Sequence, residues 1–277
     1  MEYKFGNSRI IIDPNKGAAI DELVLNGVQI IEVQEGVHYQ SSLLFPFPNR
    51  LKGGRFEHNG QIFEFPLNDF GRPNALHGFL ADKLFDVQQI EGGLRCTFDY
   101  NADESYYPFP FTLSIDYLLF EEELKMAVHI TNRGANSMPC GFGWHPYFKV
   151  NGFDQSKLQM EPVRQIEVDE NLIPTQLERP YCSFDMMKSI SGYQLDTCFS
   201  FESPGIHKTV LELNKSRTIE IWQDVEFGYL QVYTPDDQRS LAIEPMTCNI
   251  DALNNRKDLK ILSAAESWQL TFGVRLF

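Results

Sequence analysis

Hydrophobic and polar residues alternate along much of this chain. Phe111, Leu113, Ile115 and Tyr117 are separated by Thr112, Ser114 and Asp116; Leu124, Met126, Val128 and Ile130 by Lys125, Ala127 and His129. Trp268, Leu270, Phe272 and Val274 are spaced the same way by Gln269, Thr271 and Gly273. Successive side chains of a strand point to opposite faces, so each run predicts a strand with one buried and one polar face. The segments around Ile10, Leu211, Ile219 and Val232 read alike, and Met1 to Ile12 is expected to form the first strand. Turn-forming residues punctuate the runs at Asn26-Gly27, Asn59-Gly60, Glu91-Gly92-Gly93, Arg133-Gly134, Asn151-Gly152 and Pro235-Asp236-Asp237. No stretch sustains a helical period between proper caps; Asp251 to Leu262 is expected to hold a turn or two at most. Without repeats, low-complexity tracts or linker-like breaks, the pattern predicts one all-β domain over residues 1–277. Two large antiparallel sheets packed face to face are its simplest form. Large sheets twist, and the polar side chains of a concave face can line a groove suited to flat, polar ligands such as sugars.

Composition narrows the function more than the fold. A length of 277 residues suits a large single β sandwich, and 22 phenylalanines with 11 tyrosines fit strands better than a helical bundle. The net charge of −14 argues against nucleic acid, whose binding rests on neutralising phosphates with Lys and Arg. It weighs in the same direction against anionic membranes and heavily phosphorylated ligands. No apolar run approaches the length of a membrane span. The five cysteines are scattered without metal-type spacing, which fits reduced thiols and a cytoplasmic protein. Asn214-Lys215-Ser216 matches a glycosylation sequon, without meaning in that compartment. No phosphate-binding glycine loop or nucleophile elbow is present, so neither a cofactor nor a metal is expected.

The strongest chemical feature is Gly141-Phe142-Gly143-Trp144-His145-Pro146-Tyr147-Phe148-Lys149-Val150. Pro146 restricts the backbone of His145 to extended geometry. Aromatic residues surround an imidazole that titrates near neutral pH. Its candidate partner is Glu244, in Leu241-Ala242-Ile243-Glu244-Pro245, at the expected end of a hydrophobic strand and on the side away from the core. A solvated strand-end glutamate fits that pattern as well. Asn49 and Arg50 follow the stiff Phe45-Pro46-Phe47-Pro48 approach. His77 precedes Gly78, Asp196 sits between apolar residues, and Gln231 is an amide on an apolar strand. Taken singly, each of these has an ordinary structural reading. His38, His58, His129 and His207 are assigned no role.

In this order, Asn49-Arg50, His77-Gly78, His145-Pro146-Tyr147-Phe148, Asp196, Gln231-Val232-Tyr233-Thr234 and Glu244-Pro245 resemble the aldose 1-epimerase, or galactose mutarotase-like, family over essentially the whole chain. The resemblance implies a large antiparallel β-supersandwich with a sugar cleft on its concave face. It implies Glu244 as the base at the anomeric hydroxyl and protonated His145 as the acid at the ring oxygen. Asn49, Arg50, His77, Asp196 and Gln231 would hold the sugar hydroxyls, with Trp144, Tyr147 and Phe148 near enough to face its ring. His145 is then expected to be charged before each turnover. The chain departs from mutarotases proper in Phe79 and Phe85, where a glycine and a tryptophan are frequent, and in Asn249-Ile250, in place of a proline-containing turn. His77-Gly78-Phe79 is closer to relatives that include hexose-6-phosphate epimerases, but Ala81 stands where those carry arginine. The expected ligand is thus a free monosaccharide, with no nucleic acid and no membrane partner, and the protein a monomer or homodimer. Two alternatives are a hexose-6-phosphate 1-epimerase using Lys52, Arg55, Arg72 or Lys83, and a carbohydrate-binding protein without catalysis.

Overall fold

The computed structural model describes residues 1–214 and 216–277, so the sequon's middle residue lies outside the described residues. Two large antiparallel sheets form the body. The nine-stranded sheet runs, in spatial order, Asp86–Ile90, Gly93–Tyr100, Phe111–Leu119, Glu123–Asn132, Ser267–Leu276, Arg217–Gln223, His207–Asn214, Lys157–Met160 and Lys188–Ser189. The eight-stranded sheet runs Pro174–Tyr181, Val163–Val168, Asp196–Phe201, Tyr229–Tyr233, Ser240–Met246, Gly143–His145 and Ser42–Leu44, with Tyr147–Lys149 pairing Ser240–Met246 beside Gly143–His145. The fold class is the antiparallel β-supersandwich expected. The alternating runs lie in the nine-stranded sheet with their apolar positions buried: Phe111, Leu113, Ile115 and Tyr117 from one strand, Leu124, Met126, Val128 and Ile130 from the next. The core lies between the sheets, where Trp144 of one meets Phe272 of the other at 5.6 Å between ring centroids.

The N-terminal region differs from the single strand expected over Met1 to Ile12. Gly6 at φ 56° turns it into a hairpin of Glu2–Phe5 and Ser8–Asp13, the edge of a separate four-stranded sheet completed by Ala19–Leu25 and Val28–Glu32. Alternation alone could not place that turn, because Gly6-Asn7 resembles many surface pairs. This small sheet docks on the sandwich through Tyr117, whose buried hydroxyl donates to the carbonyl of Ala18 at 2.7 Å. Asn26-Gly27 and Asn59-Gly60 form tight hairpin turns with both residues at positive φ. The only α-helical stretch among the described residues is the single turn Ala252–Asn255, inside the segment expected to hold one.

One alternation decides the placement of the site. On the eight-stranded sheet Leu43, Trp144, Phe148, Leu230, Val232, Leu241 and Ile243 are buried in the core. Their neighbours Ser42, His145, Tyr147, Gln231, Tyr233 and Glu244 therefore project from the opposite, outer face. Trp144 and Phe148, expected near the ligand, are core residues, because each is an odd number of residues from His145. Of the three aromatics only Tyr147 shares its face.

The His77-Gly78 step abuts the start of the Asn49-Arg50 segment. Gly78, at φ 68°, forms a bridge with Phe45, and a Cβ there would meet the Phe45 carbonyl oxygen at 2.0 Å. Neither the backbone angle nor the space admits a side chain. Gly78→Ala is expected to destabilise the fold by about 2–4 kcal/mol, from overpacking and positive φ together. Urea unfolding checks this, and a loss below about 1 kcal/mol would show that the segment relaxes freely.

Candidate active site

Backbone register brings His145 and Glu244 together. Gly143 pairs with Met246 and Tyr147 with Ala242, so the residues midway between, His145 and Glu244, stand opposite one another across adjacent strands. Gln231 pairs with Glu244 on the other side, and Cys198 with Gln231. Ser42 pairs with His145, so one row across the sheet reads Ser42, His145, Glu244, Gln231, Cys198. His145 Nε2 is 3.4 Å from Glu244 Oε1. Glu244 was expected to end its strand, but the strand runs on through Pro245 to Met246, with Pro245 paired to Leu230. A proline's fixed φ is compatible with an extended strand; only its missing donor argues for a strand end. Nor is the glutamate solvated, since it is 2 % exposed.

Burial governs the charges of this pair. Surrounding protein takes much of the solvation of a carboxylate or an imidazolium, so each group is pushed toward its neutral form. Glu244 is raised well above the ordinary carboxyl range, by burial first and Asp196 next, with Arg50 opposing. His145 is lowered to about 4, again by burial. Both shifts run against charge, so burial by itself disfavours the imidazolium expected at His145 and a carboxylate at Glu244. Glu244 Oε2 and His145 Nδ1 are both buried without a partner.

The remaining expected residues form a ring of contacts beside the pair. Asn49 Nδ2 donates to Gln231 Oε1 at 3.2 Å, and Gln231 Nε2 donates to Asp196 Oδ1 at 2.6 Å. Asp196 Oδ2 lies 3.9 Å from Arg50 Nη2, and Arg50 Nη1 donates back to Asn49 Oδ1 at 3.2 Å. His77 is joined to Asn49 by reciprocal bonds. Its backbone N–H donates to the Asn49 carbonyl at 2.8 Å, and the Asn49 N–H donates to His77 Nδ1 at 3.1 Å. Because Nδ1 accepts, the ring proton sits on Nε2, the donor left for a ligand. Burial first, then His145 and Arg50, hold His77 well below its usual range, and hence neutral. Both Asn49 and His77 sit at positive φ, 58° and 63°, a conformation that asparagine and histidine tolerate better than most.

Sequence reasoning missed Asp69. Arg50, expected to hold sugar hydroxyls, donates from Nε to buried Asp69 Oδ2 at 2.9 Å. Asn74 Nδ2 donates to the same oxygen at 2.9 Å. Nothing in Asn68-Asp69-Phe70-Gly71-Arg72-Pro73 distinguishes it from an ordinary polar turn. Also unforeseen was the loop carrying Val33, Gln34, Val37, His38 and Tyr39, which walls one side.

All seven expected residues line one cavity of about 1310 Å³, larger than the roughly 300–1,000 Å³ usual for small-molecule sites. Asp21, Asp82, Asp236 and Asp237 lie along it as well. Among the described residues its lining cations are Lys16, Arg50 and Lys83, each within 4 Å of a carboxylate at Asp21, Asp69 and Asp82 respectively. Lys52, Arg55 and Arg72, considered for a phosphate, do not line it. Among the described residues no three His, Cys, Asp or Glu side chains converge as a metal ligand set, and no helix is long and apolar enough to cross a membrane.

Comparison with known proteins shows the family and the fold. The family model described as aldose 1-epimerase matches residues 4–275. The uncharacterized protein YihR of Escherichia coli K12 is 26% identical over 271 residues, covering 93% of this chain and 87% of its own. A crystal structure of a galactose mutarotase-like protein from Clostridium acetobutylicum superposes with a TM-score of 0.89 at 21% identity, covering 100% of this chain and 94% of that one. A putative aldose 1-epimerase from Escherichia coli K12 gives 0.86 at 18% identity, covering 100% and 98%. The two structures share the fold, and the family match extends over nearly every residue: this chain belongs to the aldose 1-epimerase family.

Proposed function

We propose that this protein is an aldose 1-epimerase that interconverts the α and β anomers of a free, uncharged aldose. The carrying observation is the pairing of His145 with Glu244 at 3.4 Å in the cavity, each with an unsatisfied atom. Mutarotation needs a base at O1 and an acid at O5. These oxygens share one carbon, so the two catalytic groups must converge on neighbouring atoms. Glu244, ionised, takes the proton of the C1 hydroxyl as His145, protonated, gives one to O5, and the C1–O5 bond breaks. The open-chain aldehyde turns about C1–C2 to present its other face. The C5 hydroxyl then attacks C1, His145 recovers the proton of that hydroxyl and Glu244 returns one to O1.

The proton count of the pair stays constant. The closed-ring state has a carboxylate and an imidazolium; the open-chain state has a carboxyl and a neutral imidazole. Burial favours the second, so the site is disposed toward the ring-opened intermediate, and hydrogen bonds from the bound sugar must favour the first. Asn49, Arg50, His77, Asp196 and Gln231 serve as the hydroxyl contacts, and fixing the sugar supplies the orientation term. The carboxylates along the cavity, together with the pairing of its cations, favour an uncharged sugar over a hexose 6-phosphate.

Glu244→Gln and His145→Gln are each expected to lower kcat by about 10²–10⁴-fold, read by polarimetry or NMR exchange on freshly dissolved α-glucose and α-galactose. Unaltered approach to anomeric equilibrium with wild-type protein, alongside measurable sugar binding, would instead identify a binding protein. A kcat/KM at least tenfold higher for the 6-phosphate than for its parent sugar, about 1.4 kcal/mol, would overturn the uncharged substrate.

The buried carboxyl also links stability to pH. A carboxyl whose folded pKa is raised costs stability as pH rises above its unfolded value. Glu244 is such a group, with 4.5 as the ordinary value. Glu244→Gln is therefore expected to melt at a higher temperature than wild type at pH 8, with the gap narrowing as pH falls toward 4.5. A gap independent of pH would refute this origin.

A further inference from the structure

His145 has no hydrogen-bonding partner at Nδ1, the nitrogen that usually fixes the plane of a catalytic imidazole. Aromatic rings hold it instead. The ring of Tyr147 lies against it at 4.9 Å between centroids and 22° between planes. His77 meets it edge-on, at 5.1 Å and 79°. Tyr147 is itself held, edge to face, by Tyr233 at 6.4 Å and 88°. Pro146 restricts the backbone between the two stacked rings, and the alternation that puts Trp144 and Phe148 into the core puts both rings on the outer face.

We propose that Tyr147 is the positioning residue for His145: its ring sets the imidazole plane, and its electron-rich face stabilises the imidazolium that protonates the ring oxygen. This rests on the acid–base reading of the site given above. The groups facing His145 are Glu244 on the adjacent strand, His77 from its loop and Tyr147 itself, with Arg50, Asp196 and Tyr233 beyond them. His77 is neutral and donates from Nε2, so it adds no compensating charge. Glu244 favours the imidazolium only while ionised, and Arg50 opposes it. Beside its own backbone carbonyl, the stacked π face of Tyr147 is then a contact that favours a cation throughout the cycle.

The test measures kcat and KM for anomer exchange by NMR across pH, for wild type, Tyr147→Leu and Tyr147→Phe. Tyr147→Leu keeps an apolar cover but removes the π face. It is expected to lower kcat about tenfold, within the range of a desolvated cation–π contact, while KM changes less than about threefold. Entry of the second proton onto the pair, seen as the acid limb of the profile, moves to lower pH, because the imidazolium has lost a stabilising contact. Tyr147→Phe restores most of kcat and the limb relative to Tyr147→Leu. Tyr147→Met serves as the second apolar variant if near-UV circular dichroism shows that leucine disturbs the fold. The proposal fails if the apolar variants keep wild-type kcat, if phenylalanine is as impaired as leucine, or if the limb moves to higher pH. The first outcome leaves the ring without a role, the second assigns the effect to the hydroxyl, and the third assigns it to water exclusion. Wild-type protein that does not accelerate anomer exchange overturns both this and the acid–base reading. An active wild type with an unaffected Tyr147→Leu overturns only this one.

Discussion

A carboxyl and an imidazole facing each other inside the protein, in one register across two strands, form the constraint around which the rest of the site is arranged. Neither carries a compensating partner at its second polar atom. Transferring such groups out of water without full hydrogen bonding is costly, and the cost is lowest when both are neutral. The fold buries both, which favours their neutral forms. It also keeps permanent charge one layer away, where Arg50 is matched by Asp69 and Asp196. An unpaired arginine next to Glu244 would hold the carboxyl ionised and remove the balance between the two protonation states on which acid–base exchange depends. Asp69, which also lines the cavity, is therefore part of the electrostatics of the pair.

The chemistry also explains why the residues lie on a sheet rather than a loop. A row across adjacent strands places side chains at a repeating spacing, so Ser42, His145, Glu244 and Gln231 are set by backbone pairing. The loop-borne members, Asn49 and His77, lack that support. They are fixed instead by reciprocal hydrogen bonds and by the approach of Gly78 to Phe45. Pro146 lies between two short strands that pair with the same neighbour, so His145 stands where the ladder is interrupted, on a backbone that proline restricts.

The sheets and the principal site residues were legible because their signals are local or ordered along the chain. Alternation of Phe111 to Tyr117 needs only the pleat to be read, and His145-Pro146 announces its own backbone. Whether Glu244 was buried was not legible, since burial of an outer-face residue depends on the loops that fold over that face. Asp69 was hidden for a related reason. Its meaning comes from Arg50, nineteen residues earlier, and from Asn74, and only the folded chain joins the three. The extra N-terminal hairpin turns on one glycine, and the core positions of Trp144 and Phe148 follow from their odd spacing from His145.

That parity ties catalysis to stability. On the strand Gly143–His145 and its continuation Tyr147–Lys149, Trp144 and Phe148 fill the core, while His145 and Tyr147, between them in sequence, face the cavity. Trp144 meets Phe272 from the opposite sheet and Phe148 at 6.0 Å, so the strand carrying the acid is clamped from behind by the sandwich core. The strand carrying the base is held likewise by Leu241 and Ile243. A one-residue displacement of the first strand would send His145 into the core and Trp144 into the cavity, and of the second would exchange Glu244 with Ile243. The register that keeps the sandwich closed is the same register that keeps acid and base opposed, and neither can drift while the other is maintained.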